Sequence, residues 1–235
     1  MGMKSAEKDG FRHELKYICS GAQLLTLKSR LEALMSRDPH AGQDGAYLIR
    51  SLYFDDYRDS CLQENEDGVS PRKKWRIRTY NNRADVIMLE CKHKDHDMIR
   101  KESCRIGREQ FEKIRKASLA AKHDDPELLK RFLAEQALRL LHPVVTVQYR
   151  RYPFICREGN VRITLDCNIV SSPGTGDFFG QEMPDPERPV QEKGRHLLEV
   201  KFDEYLPDYI YHTVQQGNMS RTAFSKYYLC RRYGI

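Results

Sequence analysis

Charged side chains recur at every second position along five otherwise apolar segments of the chain. The five sets are Glu14 and Lys16; Arg76 and Arg78; Glu90 and Lys92; Arg162, Thr164 and Asp166; and Glu199 and Lys201. Side chains two positions apart lie on one face of a β-strand, and the intervening residues lie on the other. The pattern therefore predicts strands with one apolar face and one face made selectively of arginine, lysine and glutamate.

Two structures are compatible with such strands. Period-two charge is typical of a solvated sheet face. If the charged faces instead converge, they enclose a cationic cavity, which needs a polyanionic ligand because clustered like charges taken out of water cost several kcal/mol each unless they are paired. Basic residues dominate segment after segment, and glutamate recurs beside lysine, so we favour the interior cavity.

Composition agrees with an anionic partner without requiring one. The 235 residues include 40 Lys plus Arg against 34 Asp plus Glu, which gives a net charge of +6. No run is long and apolar enough to span a bilayer, and the N-terminus lacks a signal-peptide stretch. We expect a flexible leader over 1–10 and a single domain over 11–235, located in the cytoplasm.

The cysteines and histidines do not form a recognisable metal motif. The seven cysteines are odd in number and none has CxxC spacing, which indicates reduced, buried thiols. His93 and His96 lie in a charged KHKDHD stretch that we interpret as a solvated turn. A glycine-rich phosphate loop, a GxSxG motif and a Cys/His pair are also missing from the sequence, so neither a P-loop or Rossmann site nor a covalent nucleophile is predicted.

Apolar periodicity predicts strands interleaved with a few helices. Strands are predicted over 47–55, 73–80, 85–94, 98–106, 144–152, 162–170 and 196–202, and helices over 21–37, 107–122, 126–141 and 220–232. Asn81 and Asn82 form the turn of a hairpin, and 171–195 is a long loop rich in proline, glycine and acid. This order predicts an α+β fold with a closed or nearly closed antiparallel barrel.

The ordered set of motifs resembles a known family. ELKY, SLYFDD, RIR, LECK, YRRYPF, VRITLD, LEVKF and FSKYY follow one another from Phe11 to Tyr228 as in the VTC domain, the polyphosphate polymerase domain of the vacuolar transporter chaperone complex, which also occurs as stand-alone bacterial proteins. The resemblance implies membership of the triphosphate tunnel metalloenzyme superfamily. Its fold is a closed eight-stranded antiparallel barrel with flanking helices, and its tunnel binds triphosphate or polyphosphate with basic side chains and Mn²⁺ or Mg²⁺.

The resemblance also implies site residues. Phosphate would be bound by Arg12, Lys16, Arg76, Arg78, Lys92, Lys101, Arg151, Arg162, Lys201 and Lys226, and Lys16, Arg78, Lys92 and Lys226 would be catalytic. Glu199 would hold the metal, with Glu14 and Glu90 as further candidates.

Several positions in this set leave alternatives open. Arg150 leaves the register of Arg151 open by one residue, and Ser103 replaces the second basic residue of the family's KxR strand. Arg12 stands where many tunnel triphosphatases have a carboxylate, which favours the VTC branch over a two-metal hydrolase. Asp166 and Glu90 are candidates for orienting the arginines, and Asp166 fits a structural ion pair equally well.

The expected activity is transfer of the ATP γ-phosphate to a polyphosphate chain. Hydrolysis of a triphosphate or polyphosphate in the same tunnel, and a non-catalytic polyphosphate-binding module, remain as alternatives. Binding of nucleic acid is not expected, because its basic residues should lie on an outer face with exposed aromatic side chains. Without a membrane segment, any transport would need a separate membrane or protein partner. The sequence leaves open the oligomeric state, the metal and the choice between ATP and another nucleoside triphosphate.

Overall fold

The computed structural model describes residues 10–173, 176–183, 186–215, 217 and 219–233. Apart from Gly10, the predicted leader lies outside the described residues. The strands are β1 Arg12–Ser20, β2 Ser36–Arg37, β3 Tyr47–Asp55, β4 Arg72–Tyr80, β5 Ile87–Asp95, β6 Met98–Ile106, β7 His142–Cys156, β8 Val161–Ser172, β9 Arg188–Pro189 and β10 Arg195–Phe202. The helices are α1 Gly21–Leu34, α2 Ser60–Glu66, α3 Arg108–Arg115, α4 Glu127–Arg139, α5 Asp208–Val214 and α6 Lys226–Tyr233.

Eight long strands close into an antiparallel barrel. They are hydrogen-bonded in the order β7, β3, β4, β5, β6, β1, β10 and β8, and β8 pairs back with β7 to complete the ring. The two-residue strands β2 and β9 pair with β7 and β8 respectively. The predicted closed eight-stranded barrel with flanking helices is therefore confirmed.

Two apolar clusters lie outside the barrel wall, and a third, which includes Tyr149, Leu197 and Tyr227, packs inside the barrel against α6. The outer faces of β4 and β5 pack against α3 and α4 through residues such as Ile77, Leu89 and Phe132. On the opposite side, α1 and α5 cover the outer faces of β8 and β10, where Ile163 and Val200 are fully buried. Burial of these surfaces stabilises the fold by about 25 cal/mol per Å² of apolar area. Because the helices bury the apolar face, the alternating charged face is directed into the barrel.

Three predicted helices end earlier in the structure than the sequence suggested, α4 by two residues, and the helix predicted from residue 220 begins only at Lys226. Helix α1 begins with a capping box, in which the Ser20 hydroxyl accepts from Gln23 N and the Gln23 side chain accepts from Ser20 N, at 3.3 and 2.8 Å. It stops at Leu34 because the next residues pair with β7 as β2. Helix α3 stops at Arg115 rather than at residue 122, and Ala117 adopts a left-handed conformation with φ of +51°.

The long loop after β8 is fastened to the barrel. The described parts of this loop include 176–183 and β9. The guanidinium of the buried Arg50 donates to the carbonyls of Phe178, Gly180 and Glu182 at 2.8–3.0 Å. Phe178 packs into the core between the barrel and α3. Helices α2 and α5, of seven residues each, were not predicted, since so few residues give no clear period. Among the described residues, no helix combines the length and apolar character that crossing a bilayer requires.

Candidate functional site

The inward faces of the barrel strands line one cavity of about 770 Å³. All ten side chains predicted to bind phosphate lie on its wall: Arg12, Lys16, Arg76, Arg78, Lys92, Lys101, Arg151, Arg162, Lys201 and Lys226. Glu14 and Glu199 line it as well, whereas Glu90 lies behind the lining side chains that it contacts. The structure therefore brings the predicted residues together.

Positive charge dominates the cavity wall. Its described lining includes fourteen arginine or lysine residues and three aspartate or glutamate residues. The remaining polar lining comes largely from tyrosines of β3, β4, β7 and the C-terminal helix. Because the field of so many cations is focused by low-dielectric walls, the cavity attracts anions.

Glu90 organises the arginines of β4. Its carboxylate accepts from Arg76 Nε at 2.7 Å and from Lys101 Nζ at 2.9 Å, and Arg78 Nε lies 3.8 Å away. Burial raises the pKa of Glu90, but these three cations outweigh it and hold the pKa far below its usual value. Glu90 is therefore an anion that fixes the guanidinium groups in position. Ser103, which replaces a basic residue of the family pattern, lies opposite Glu90 on β6.

Glu14 is shared by three lysines. Lys92, Lys16 and Lys201 place their ammonium groups 2.8, 3.1 and 3.3 Å from its carboxylate. Burial opposes ionisation of Glu14, yet the lysines keep its pKa well below normal. For Lys92, burial lowers the pKa and the neighbouring lysines Lys16 and Lys201 add to this effect, although Glu14 opposes it. A single carboxylate thus holds a cluster that carries excess positive charge.

Asp166 and Glu199 form the most buried charge network. Arg151 donates to both oxygens of Asp166 at 2.6 and 2.7 Å, and Lys226, the first residue of α6, reaches Asp166 at 2.6 Å and Glu199 at 2.7 Å. Arg151 points into the barrel, whereas Arg150 points outward to Asp44, which resolves the register that the sequence left open. Burial lowers the pKa of Lys226, but Asp166 and Glu199 more than compensate and raise it.

Two of the predicted arginines are also held by acidic residues. Arg12 Nε donates to Asp203 at 2.7 Å, so this guanidinium is partly neutralised. Arg162 donates to Asp38 at 2.7 Å and to the Tyr47 hydroxyl at 2.9 Å.

Tyrosine hydroxyls also hold the arginines, which the sequence analysis missed. The Tyr53 hydroxyl accepts from Arg76 Nη1 at 3.1 Å, and the Tyr149 hydroxyl accepts from Arg78 Nη2 at 3.4 Å. A phenol orients a guanidinium without cancelling its charge. These tyrosines lie on strands β3 and β7, whose aromatic content is also typical of an apolar core and therefore gave no signal.

Four further cations of the cavity were also missed. Arg72, Lys74, Lys94 and Arg221 line it with the predicted set. The first three continue the period-two rows of β4 and β5, so extending each row toward its end would have found them. Arg221 lies between strand and helix, where no period applies.

The oxygen ligands in the cavity suit a metal ion that the substrate helps to bind. Among the described residues there is no group of three or more His, Cys, Asp or Glu side chains that could hold a metal ion by themselves. Glu14 and Glu199 are linked through Lys201, and opposite Glu199 lies Thr164, whose buried hydroxyl has no partner. Mg²⁺ typically takes one or two carboxylates and completes its shell with phosphate oxygens, so these residues fit such an ion.

The fold and the cavity together define a closed barrel with a cationic interior, in which most of the predicted cations are paired with carboxylates. A family model described as the VTC domain matches residues 11–233. The chain belongs to the VTC domain family, and this membership supports a tunnel function related to polyphosphate or triphosphate. The resemblance drawn from the sequence motifs is confirmed.

Comparisons of whole structures give distant likenesses. A candidate adenylate cyclase from Bacillus halodurans is 14% identical with a TM-score of 0.48, covering 87% of this chain and 86% of that one. The PH1819 protein from Pyrococcus horikoshii OT3 is 15% identical with a TM-score of 0.44, covering 86% and 84%. The Mimivirus capping enzyme triphosphatase is 12% identical with a TM-score of 0.42, covering 90% and 91%. Likeness at this level carries no information on activity, and no curated protein sequence matches the chain significantly.

Proposed function

We propose that this protein is a metal-dependent polyphosphate polymerase, which transfers the γ-phosphate of ATP to a polyphosphate chain bound in the barrel. The observation that carries the proposal is the enclosed cavity lined by fourteen basic side chains, in a chain that belongs to the VTC domain family. A cavity with so few balancing carboxylates suits a ligand that carries one negative charge after another along its length.

Positioning and charge stabilisation account for most of phosphoryl transfer, so the protein needs little covalent chemistry. Arg76, Arg78 and Arg151 offer forked donors to phosphate oxygens, and Lys92 and Lys226 add point charges. Glu90 and Asp166 fix three of these side chains before the ligand enters. The charge that develops on the transferred group therefore meets donors that need not reorganise.

The acceptor supplies its own nucleophile. A terminal phosphate oxygen of the polyphosphate chain attacks the γ-phosphorus of ATP, the bond from that phosphorus to the β,γ-bridging oxygen breaks, and ADP leaves. The chain grows by one phosphate, and no protein side chain forms a covalent bond. This agrees with the sequence, in which no serine, cysteine or histidine forms a nucleophile motif.

Glu199 and Glu14 would hold the metal ion, Mn²⁺ or Mg²⁺. When bound, the ion supplies neutralisation of charge on the phosphate oxygens. Lys226 and Arg151 keep Glu199 ionised, because they oppose the effect of burial and lower its pKa. Glu90 is assigned to positioning rather than to the metal, because it lies behind the side chains that line the cavity, whereas Glu14 and Glu199 line the cavity themselves.

The test is to incubate the protein with ATP and Mn²⁺ and to size the products. A ladder of polyphosphate together with ADP supports the polymerase. Release of orthophosphate or tripolyphosphate alone would support the hydrolase alternative, in which water replaces the acceptor phosphate. Tight binding of polyphosphate without any turnover would assign a binding module instead.

A further inference from the structure

One lysine of the cavity has neutral hydrogen-bond partners in place of an acidic one. Lys74 on β4 donates to the side-chain carbonyl of Asn65 and to the hydroxyl of Ser225, the latter at 3.0 Å. Within the described part of the chain, no carboxylate lies within ion-pair distance of this amine. Five other lysines of the cavity are each paired with a carboxylate: Lys16, Lys92, Lys101, Lys201 and Lys226. Lys74 can therefore lose its proton without breaking an ion pair.

The charges around this amine favour its neutral form. Burial is the largest cause and lowers the pKa of Lys74 to about 7. The Cys61 thiol on α2 opposes this effect, and three nearby cations add to it: Arg72, Lys16 and Lys94. Near neutral pH, roughly half of the molecules therefore carry an unprotonated amine at this position, whereas an ordinary lysine is almost fully protonated.

The same contacts hold the amine in a defined orientation. Two N–H groups are directed to Asn65 and Ser225, and the bond to Cε takes a third tetrahedral position, so the lone pair of the neutral amine takes the fourth. Lys74 and both partners line the barrel cavity, as does Tyr227, whose ring centre lies 5.3 Å from Lys74 Nζ. A molecule in the cavity can thus reach a nucleophile that is already positioned.

The charge of the cavity selects which electrophiles come near this amine. Cations greatly outnumber anions on the wall, so the cavity attracts small anions and gives no advantage to neutral reagents. An acyl phosphate is such an anion, and it carries a carbonyl carbon that an unprotonated amine attacks. A lysine that is desolvated and placed beside other cations is a known form of activated nucleophile.

We propose that Lys74 is a nucleophilic lysine and the acylation site of the barrel cavity, with acyl phosphates as the acylating class. The amine nitrogen forms a bond to the acyl carbon, and the bond from that carbon to the phosphate oxygen breaks. Inorganic phosphate leaves and takes up, by way of water, the proton that the nitrogen loses. The product is a neutral amide, so acylation removes one positive charge from the cavity and adds bulk to it. The proposal goes beyond the polymerase function and does not depend on it.

The experiment treats the wild-type protein with acetyl phosphate near neutral pH and follows each lysine by mass spectrometry of its peptides. Lys73 is the internal comparison, because it precedes Lys74 in sequence and pairs with Glu135 on the outer face of β4. Lys74 should be acetylated at least about tenfold faster than Lys73, since far more of its amine is unprotonated. With the neutral reagent N-acetoxysuccinimide the ratio of the two rates should be smaller, because the cavity does not attract it.

The variant Asn65→Asp tests the cause of the reactivity. It replaces a neutral partner of the amine with a carboxylate of the same shape, which favours the protonated lysine. Acetylation of Lys74 should therefore slow at least about tenfold, while the rate at Lys73 stays within about twofold. The matched control, Asn168→Asp, makes the same change at an exposed position and should behave as the wild type. Lys74→Arg should remove the modified peptide and so confirms its assignment.

Three results would each overturn a stated part of the proposal. Equal acetylation rates at Lys73 and Lys74 would show that Lys74 is an ordinary lysine. The same ratio of rates with acetyl phosphate and with N-acetoxysuccinimide would remove acyl phosphates as the preferred class. An unchanged rate in Asn65→Asp would show that the neutral partners do not activate the amine. None of these measurements uses ATP, so their failure is distinguishable from failure of the polymerase assay.

Discussion

Arg151 and Asp166 lie directly opposite each other on β7 and β8 and are joined by two hydrogen bonds of 2.6 and 2.7 Å, with both side chains buried. This forked pair turns one of two adjacent arginines into the barrel and holds it there. Lys226 joins the same carboxylate from α6. The pair therefore connects the barrel wall to the C-terminal helix at the most buried part of the cavity.

Replacement of Asp166 by asparagine should destabilise the protein strongly. Two buried cations, Arg151 and Lys226, would then share Glu199 as their remaining carboxylate. Breaking a buried ion pair by removing one partner costs about 3–5 kcal/mol. Urea unfolding measures the change. The control is Asp44→Asn, which removes the partner of the neighbouring Arg150 on the surface and should cost no more than about 1 kcal/mol. Equal effects of the two substitutions would mean that Asp166 is not a structural anchor.

Removal of Arg78 or Lys92 should abolish turnover without unfolding the protein. The carboxylates near them keep other cations: Glu90 keeps Arg76 and Lys101, and Glu14 keeps Lys16 and Lys201. Loss of one preorganised donor to a transition-state charge typically lowers the rate by roughly 10²–10³. Because crowded cations repel one another, the melting temperatures of Arg78→Ala and Lys92→Ala should be unchanged or higher than that of the wild type.

The control for these two variants is Arg150→Ala, which removes an arginine that points away from the cavity. Its rate should match that of the wild-type protein. A large fall in the melting temperature of ligand-free Arg78→Ala or Lys92→Ala would contradict the prediction and make these side chains structural.

Glu199→Gln should separate binding of metal from binding of phosphate. The substitution keeps the shape of the side chain and removes its charge. Lys226 and Arg151 still have the carboxylate of Asp166 as a partner, and Lys201 still has that of Glu14. Turnover with Mn²⁺ should fall far more than metal-free affinity for polyphosphate. Sizing of the products formed from ATP and Mn²⁺ measures turnover, and isothermal titration without metal measures the affinity for polyphosphate, with Glu192→Gln on the surface as control. A parallel loss of both properties would remove Glu199 from the metal site.

Much of this cavity follows from the sequence because strands alternate strictly. Six of the ten predicted cations lie in the alternating strand segments and so share the face that the helices leave uncovered: Lys16, Arg76, Arg78, Lys92, Arg162 and Lys201. Lys226 lies on α6, where only the family resemblance pointed to it. The register of Arg150 and Arg151 does not follow, because the choice depends on Asp166 across the strand pair and on Asp44 outside. These are tertiary contacts, which a local pattern does not contain.

The tyrosines and the early helix ends show a second limit. Tyr53 and Tyr149 have the same pattern in sequence as buried core residues, and their hydroxyl partners become visible only when β3, β4 and β7 are placed side by side. The end of α1 is likewise decided by pairing of the next residues with β7. In both cases long-range strand pairing overrides what apolar periodicity alone predicts.

Stability should depend on pH through Lys74. Burial lowers the pKa of Lys74 to about 7; the nearby Cys61 thiol opposes this, and the cations Arg72, Lys16 and Lys94 add to it. In the unfolded chain a lysine titrates near 10.4. Between about pH 7 and pH 10 the unfolded chain therefore binds more protons than the folded one, and the free energy of unfolding rises with pH in that window.

Urea unfolding at several pH values measures this rise in stability. The variant Lys74→Met should be more stable than the wild type near neutral pH, and the difference should shrink as pH rises. Lys73→Met, on the outer face of the same strand, should leave the pH profile unchanged in shape. An identical pH slope in wild type and Lys74→Met would show that Lys74 is protonated throughout.

An enclosed cationic site should distinguish a thin polyanion from a thick one. We expect a thin polyphosphate chain to enter the barrel, whereas a DNA duplex is far wider and should reach only outer lysines and arginines. Tripolyphosphate should therefore bind at moderate salt and raise the melting temperature through linkage to the folded state. Duplex DNA should bind weakly and lose affinity steeply as salt rises.

The variant Arg76→Ala/Arg78→Ala tests the same point directly. Both arginines are buried in the barrel around Glu90, so the variant should lose the thermal shift caused by tripolyphosphate and keep the weak binding of DNA. Thermal shift and fluorescence anisotropy measure the two properties on one preparation. A parallel loss of DNA binding would place these arginines on an accessible surface. Enclosure in the barrel could then not explain a preference for tripolyphosphate over duplex DNA.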